Sequence, residues 1–258
     1  MMRRTGFLLA SLVAAVVLAS AVALAVTPLY PDLKTLKPTD LRFATATING
    51  STHQVLRFSN TVWNAGQGRL ELRAKTVKTT SGRKSRVSQR IYDDAGGYTS
   101  KNVGDMVYHA SHSHFHFEDF AEYELWTRTE YDNWLASGRT QGQAQRRGTK
   151  TTFCLMDVRL VQSLPGSPAS AQYATCGQTL QGISVGWGDK YRYSLPDQWI
   201  DLGTSRLADG NYALRSIADP KNRIYESANK SDTSRESPQA NEAVTFFTVQ
   251  GGTVTITG

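Results

Sequence analysis

Leu41-Arg42-Phe43-Ala44-Thr45-Ala46-Thr47-Ile48, then Asn49-Gly50, then a run ending Gln54-Val55-Leu56-Arg57-Phe58, reads as two extended segments joined by a tight turn. Asn-Gly tolerates the positive φ angles of a type I′ turn, whose twist matches that of two antiparallel strands. Working outward, further short runs with strand character stand at 61–63, 69–77, 112–126, 149–158, 198–202, 212–218 and 243–249. Asn64-Ala65-Gly66-Gln67-Gly68 separates two of them as a turn. Many short strands with turn residues between them predict a mainly β fold, a single antiparallel β-sandwich domain with long loops and little helix. A polar stretch at 128–147 has room for a short helix over 130–136, and 227–240, rich in Ser, Asp, Glu and Asn, reads as an exposed loop.

Four of the five histidines fall in Tyr108-His109-Ala110-Ser111-His112-Ser113-His114-Phe115-His116-Phe117. Side chains alternate across an extended strand, so His112, His114 and His116 would share one face, with Ser113, Phe115 and Phe117 on the other. Three imidazoles on one face suit copper, zinc or iron. The same spacing also fits surface imidazoles that bind metal adventitiously. Glu118 extends the histidine face and could serve a hydrolase as its base, so the cluster by itself points to a metal and leaves the reaction open.

The N-terminus begins Met1-Met2-Arg3-Arg4 and carries no charged residue from 6 to 26. A basic start, an apolar stretch and small-residue sites such as Ala19-Ser20-Ala21 read as a secretory signal peptide over 1–26, with an uncleaved anchor as the competing reading. Either way the remaining 27–258 would lie outside the cytoplasm, secreted or held at the cell surface. That length supports one domain with its own core. Two cysteines, Cys154 and Cys176, are compatible with one disulfide in such a compartment. The formal charge is +7, or +5 once Arg3 and Arg4 are removed. Arg83-Lys84-Ser85-Arg86 and Arg146-Arg147 lack interleaved aromatics and read as solvated charge, so no nucleic-acid partner is expected. No membrane partner is expected beyond the N-terminal segment.

The surroundings of the histidines carry a resemblance. His109 to Phe120 looks like the copper-binding segment of lysyl oxidases, the quinone-dependent protein-lysine 6-oxidases. Lys150-Thr151-Thr152-Phe153-Cys154-Leu155-Met156-Asp157 resembles that family's next motif, K-A-S-F-C-L-E-D. Gln181-Gly182-Ile183-Ser184-Val185-Gly186, Asp189-Lys190-Tyr191 and Gln198-Trp199-Ile200-Asp201 follow in family order, with a weaker match at Gly210-Asn211-Tyr212-Ala213-Leu214. The likeness covers roughly 31–249 and implies copper(II) on His112, His114 and His116, with His109 as a neighbour supporting the metal site. It further implies that Lys150 and Tyr191 combine into lysine tyrosylquinone, the catalytic cofactor made from the chain. The implied reaction converts peptidyl lysine or other primary amines to aldehydes, consuming dioxygen and releasing ammonia and hydrogen peroxide. Asp157, Asp189 and Asp201 all stand as candidates for the general base.

Where the family has cysteines, this chain has Ser111 and Asp197, which suggests a minimal, prokaryotic type of member and leaves collagen and elastin outside the implied substrates. The remaining pair, Cys154 with Cys176, is the expected disulfide. The family's calcium site would fall on Asp32, Glu226 and Asn241, and a solvated acidic loop is the plainer account of those residues. Trp199 reads as a core anchor. Against the oxidase stand a non-catalytic extracellular copper binder and a metal hydrolase; neither needs Lys150 or Tyr191 beside the metal.

Overall fold

In the computed structural model, which describes residues 25–75, 84–109, 113–227 and 241–258, the chain enters through two short strands, β1 (Pro28–Leu29) and β2 (Leu33–Thr35). The hairpin follows as β3 (Thr39–Ile48) and β4 (Ser51–Asn64), with Ile48 opposite Ser51 and positive φ at both Asn49 (50°) and Gly50 (80°). Next come β5 (Leu70–Ala74), β6 (Lys84–Asp93), β7 (Tyr98–His109) and β8 (His114–Phe117). β9 (Ala121–Thr127) leads into α1 (Arg128–Ala136), followed by the short β10 (Arg146–Arg147) and β11 (Arg159–Leu160). β12 (Leu180–Ile183), β13 (Trp187–Tyr191) and β14 (Trp199–Gly203) come after them, and β15 (Gly210–Ala218), β16 (Glu242–Gln250) and β17 (Thr253–Ile256) close the chain.

The fold is mainly β, as the alternation predicts, and is arranged in three antiparallel sheets. One runs β12-β5-β6-β7-β8 with β1 against β6; another runs β10-β9-β15-β16-β17; the third runs β11-β13-β4-β14 with β2 and β3 also on β4. They share one continuous core that includes Phe58, Phe115, Phe117, Tyr123, Leu125, Phe153, Ile200 and Leu214, all buried. Each such side chain contributes about 1.5–3 kcal/mol through burial.

Three strand expectations change. The run at 61–63 is the far half of β4 and not a strand of its own. Ser59 and Asn60 look like an interruption, yet both are buried, and Asn60 Oδ1 accepts hydrogen bonds from Thr35 Oγ1 (3.1 Å) and Ser216 Oγ (3.0 Å). Polarity satisfied inside the fold does not end a strand. The run at 112–126 breaks in two: β8 starts at His114 because Ser113 sits at φ 57°, and Asp119 at φ 55° turns the chain from one sheet into another. The run at 149–158 forms no strand beyond an isolated bridge from Phe153 to Phe117. Phe153, Cys154 and Leu155 are buried in succession without a continuous ladder, because the amides of Cys154 and Leu155 donate to the side chains of Tyr191 and Gln181 and not to a neighbouring strand.

The helix begins two residues before the expected 130–136. Thr127 and Glu130 form a capping box, which satisfies the first orphan amides. Trp134 stacks on Trp126 with ring centroids 5.1 Å apart, fixing the helix to the second sheet. Trp199 is only half-buried, with the Arg57 guanidinium 4.4 Å above its ring, so it clamps the edge of the third sheet and does not anchor the core. Most of 1–26 and all but Ser227 of the polar loop at 227–240 lie outside the described residues.

Candidate active site

β8 turns Phe115 and Phe117 into the core and His114 and His116 to the other face. The two imidazoles lie with ring centroids 4.8 Å apart. His109, at the end of β7, pairs with His114 across the ladder and stacks on His116 at 5.0 Å. His116 is 1% exposed and its Nδ1 lies 3.1 Å from Thr152 Oγ1, so a metal on this ring would be held through Nε2. His112 lies outside the described residues, as does Ser111. Among the described residues no three His, Cys, Asp or Glu side chains form a complete metal cage. The pair that is described fits copper or zinc in donor type, since two neutral imidazoles this close can share one ion at about 2.0–2.1 Å each.

Lys150 is brought to the same place by the irregular segment that crosses β8 at Phe153. It is 6% exposed, with Nζ 5.3 Å from the centre of the Phe153 ring and 5.5 Å from that of Tyr191. Burial lowers the Lys150 ammonium from its ordinary value, and the charges of Asp197 and Asp189 oppose that only in part. Tyr191 ends β13 with its ring edge-on to Phe153 at 4.6 Å. Its Oη donates to the Cys154 carbonyl (2.8 Å) and accepts from the Cys154 amide (2.8 Å), so the ring cannot rotate without breaking two hydrogen bonds. Burial, reinforced by Asp189, pushes this phenol well above its usual value.

Asp189 stands two residues before Tyr191 on β13 and therefore on the same face. It is 3% exposed and its Oδ2 makes no hydrogen bond. Burial raises its carboxyl well above the usual carboxylate range; a backbone hydrogen bond at Met156 opposes this, Asp157 adds to it and Lys150 opposes it. His114, His116, Lys150, Asp189 and Tyr191 all line one cavity of about 220 Å³, and His109, Thr152 and Asp197 line a second, of about 340 Å³, on which Lys150 also borders.

The other two aspartates stand elsewhere. Asp157 is an internal brace: Oδ1 accepts from the Ser184 amide (2.8 Å), and Oδ2 from Ser184 Oγ (2.7 Å) and the Gln172 amide (2.8 Å). Asp201 pairs with His53 at 2.8 Å and does not line either cavity. Cys154 and Cys176 are joined by a disulfide with Cα atoms 5.6 Å apart, forming part of the smaller cavity's wall. Thr152 and Asp197 were not singled out from sequence as site residues; the available signal was the position of Asp197, where the resembled family has a cysteine. Glu226 and Asn241 lie together, with Asn241 Nδ2 donating to Glu226 Oε1 (2.9 Å) and the Leu33 amide donating to Glu226 Oε2. The Asp32 carboxylate instead pairs with Lys34 at 2.8 Å.

Residues 71–237 match the family model described as lysyl oxidase, well over half of the chain. The chain belongs to the lysyl oxidase family. It is 29% identical over 175 residues to Lysyl oxidase homolog 4 of Homo sapiens, an alignment that covers 67% of this chain and 17% of that protein. Against Lysyl oxidase homolog 3B of Danio rerio the identity is 32% over 121 residues, covering 47% of this chain and 13% of that one. The match therefore spans a small part of each relative's length. Within it fall the segments that this lysyl oxidase domain gathers around the smaller cavity: β8, the Lys150 segment and β13.

Proposed function

We propose that this protein is a copper- and quinone-dependent amine oxidase, converting peptidyl lysine or other primary amines to aldehydes. The observation that carries the reading is the approach of Lys150 Nζ to 5.5 Å from the Tyr191 ring centre, beside His114 and His116. A binder or a hydrolase has no use for that pairing. The metal would be held by His114 and His116 together with His112. Bound copper would supply the redox chemistry that oxidises Tyr191, and the resulting lysine tyrosylquinone would supply the electrophilic carbonyl for amine oxidation.

The chain's own residues divide the remaining work. Burial favours Lys150 as the neutral amine, the form with a lone pair to offer a ring carbon of Tyr191. Phe153 and the Cys154 backbone hold the tyrosine ring in one plane, which removes orientational freedom before reaction. Asp189, on the floor of the cavity, is the general base we favour over Asp157 and Asp201, because its raised affinity for a proton suits it to take one from substrate carbon and hold it. Over a full cycle one primary amine, one dioxygen and one water give one aldehyde, one ammonia and one hydrogen peroxide.

The same reading makes 27–258 the mature domain, delivered outside the cell by 1–26 or held there by it. No helix among the described residues is long and apolar enough to cross a membrane. Calcium on Glu226 and Asn241 would tie the N-terminal strands to β16, with Asp32 as a ligand only after it leaves Lys34.

Peptide mapping of copper-loaded, aerobically incubated protein by mass spectrometry tests the proposal. A cross-linked peptide joining Lys150 to Tyr191 is expected, absent in Lys150→Ala, together with peroxide production from a primary amine. Unmodified peptides and no peroxide from any amine would reject the oxidase and leave a copper-binding domain.

A further inference from the structure

The smaller cavity has a mouth unlike its floor. Met156, Val158 and Leu195 line it, and the Cys154–Cys176 disulfide adds a further apolar surface. Val158 is 43% exposed and Leu195 37%, although large aliphatic side chains this open are few among the described residues. Leu160, 44% exposed, continues the patch from Val158 along β11. These residues are held in place. The Val158 amide donates to the Gly188 carbonyl (3.0 Å), and the Leu195 carbonyl accepts from Arg57 (3.2 Å), which also holds Tyr193 O at 2.8 Å. A rigid apolar lip in water gains by covering itself with substrate hydrocarbon.

Charge at the mouth points the same way. Among the described residues lining this cavity, the carboxylate is Asp189, at the floor and 3% exposed, and the charged side chain nearer the surface is the cation Lys190. The chain as a whole carries +7. A substrate with a second ammonium along its chain would set that charge against the aliphatic carbon of Val158 and Leu195 and near Lys190, losing hydration there, while Asp197 lines the adjoining cavity.

We infer that this site selects primary amines whose alkyl chain ends in an apolar group and discriminates against those bearing a second cation, with Val158 and Leu195 as the specificity-determining residues. In a peptide the preferred lysine is one flanked by aliphatic and not by basic residues. This inference rests on the amine-oxidase reading above.

The test compares n-heptylamine with hexamethylenediamine, which differ by a methyl against an ammonium at equal length. With the copper-matured enzyme, kcat/KM for n-heptylamine should exceed that for the diamine by about tenfold or more, the scale on which a shaped apolar pocket discriminates. Val158→Asp and Leu195→Asp should shrink or invert that ratio. In copper-free protein, where no turnover occurs, saturation-transfer NMR should show n-heptylamine binding preferentially and the aspartate variants losing that preference. Equal or better use of the diamine, or a ratio unmoved by both variants, would overturn the inference. Absence of peroxide with either amine would count against the oxidase instead, and the NMR preference would then decide the selectivity by itself.

Discussion

Asp189 and Tyr191 show how a two-residue spacing on one strand becomes chemistry once the strand is buried. Alternation puts both on the same face of β13, but only packing takes Asp189 to 3% exposure and raises its carboxyl. Asp189→Asn should lower kcat by about 10²–10⁴-fold, the usual contribution of a positioned base. Since the base acts when ionised, the acidic limb of the wild-type pH–rate profile should fall above the ordinary carboxylate range, and the Asn variant should lack that limb; stopped-flow peroxide detection across pH measures both. A wild-type limb near the value of a free aspartate would assign the role elsewhere. Lys150 illustrates the limit of reading single residues. One lysine among the chain's 29 basic residues is by default a surface charge, and only its motif context singles it out.

At the level of elements, the second sheet is tied together by charge as well as by its ladder. Arg215 on β15 donates to Glu124 on β9 (2.8 Å) and to Glu242 on β16, and Arg139 beyond α1 also reaches Glu242. Burial works to raise the Glu242 carboxyl, but the hydrogen bonds and charges of Arg139 and Arg215 prevail and hold it below its ordinary value. Its folded value being the lower one, the stability it contributes is complete above the unfolded glutamate value of about 4.3 and is lost as pH falls through the folded value. Urea melts should therefore show a drop below about pH 4 that is reduced in Glu242→Gln. Arg215→Met should cost about 1.5–3 kcal/mol near neutral pH, because it removes charged hydrogen bonds and leaves Glu124 to Arg147 and Glu242 to Arg139. The capping box of α1 was present in the sequence as Thr127-x-x-Glu130, and reading it would have placed the helix start correctly. The strand expected at 149–158 had no such local correction, since its hydrogen-bond partners, Tyr191 and Gln181, are more than twenty residues away.

Across the whole molecule, the long-range ties that hold the Lys150 segment to the rest of the fold include the bridge from Phe153 to Phe117, the Asp157 brace on Ser184, and the disulfide from Cys154 to Cys176. The disulfide spans 22 residues, so its loss through Cys176→Ser should cost about 3 kcal/mol on the chain-entropy model. It should also slow formation of the Lys150–Tyr191 cross-link, read by mass spectrometry over time, because Cys154 supplies the backbone bonds that hold the tyrosine ring. An unchanged rate would show the remaining ties to be sufficient. Much of this protein was determined by its sequence alone: the hairpin at Asn49-Gly50, the β class, and the shared face of His114 and His116, since each depends on φ preferences and alternation within a few residues. The ordered motifs carried the likeness of Lys150 and Tyr191 to cofactor precursors. Tertiary structure decided which of three aspartates reaches the cavity, that 149–158 is no strand, that Trp199 clamps an edge, and how far Lys150 is desolvated. Those outcomes depend on burial and on partners distant in the chain, and burial is a property of a residue's surroundings.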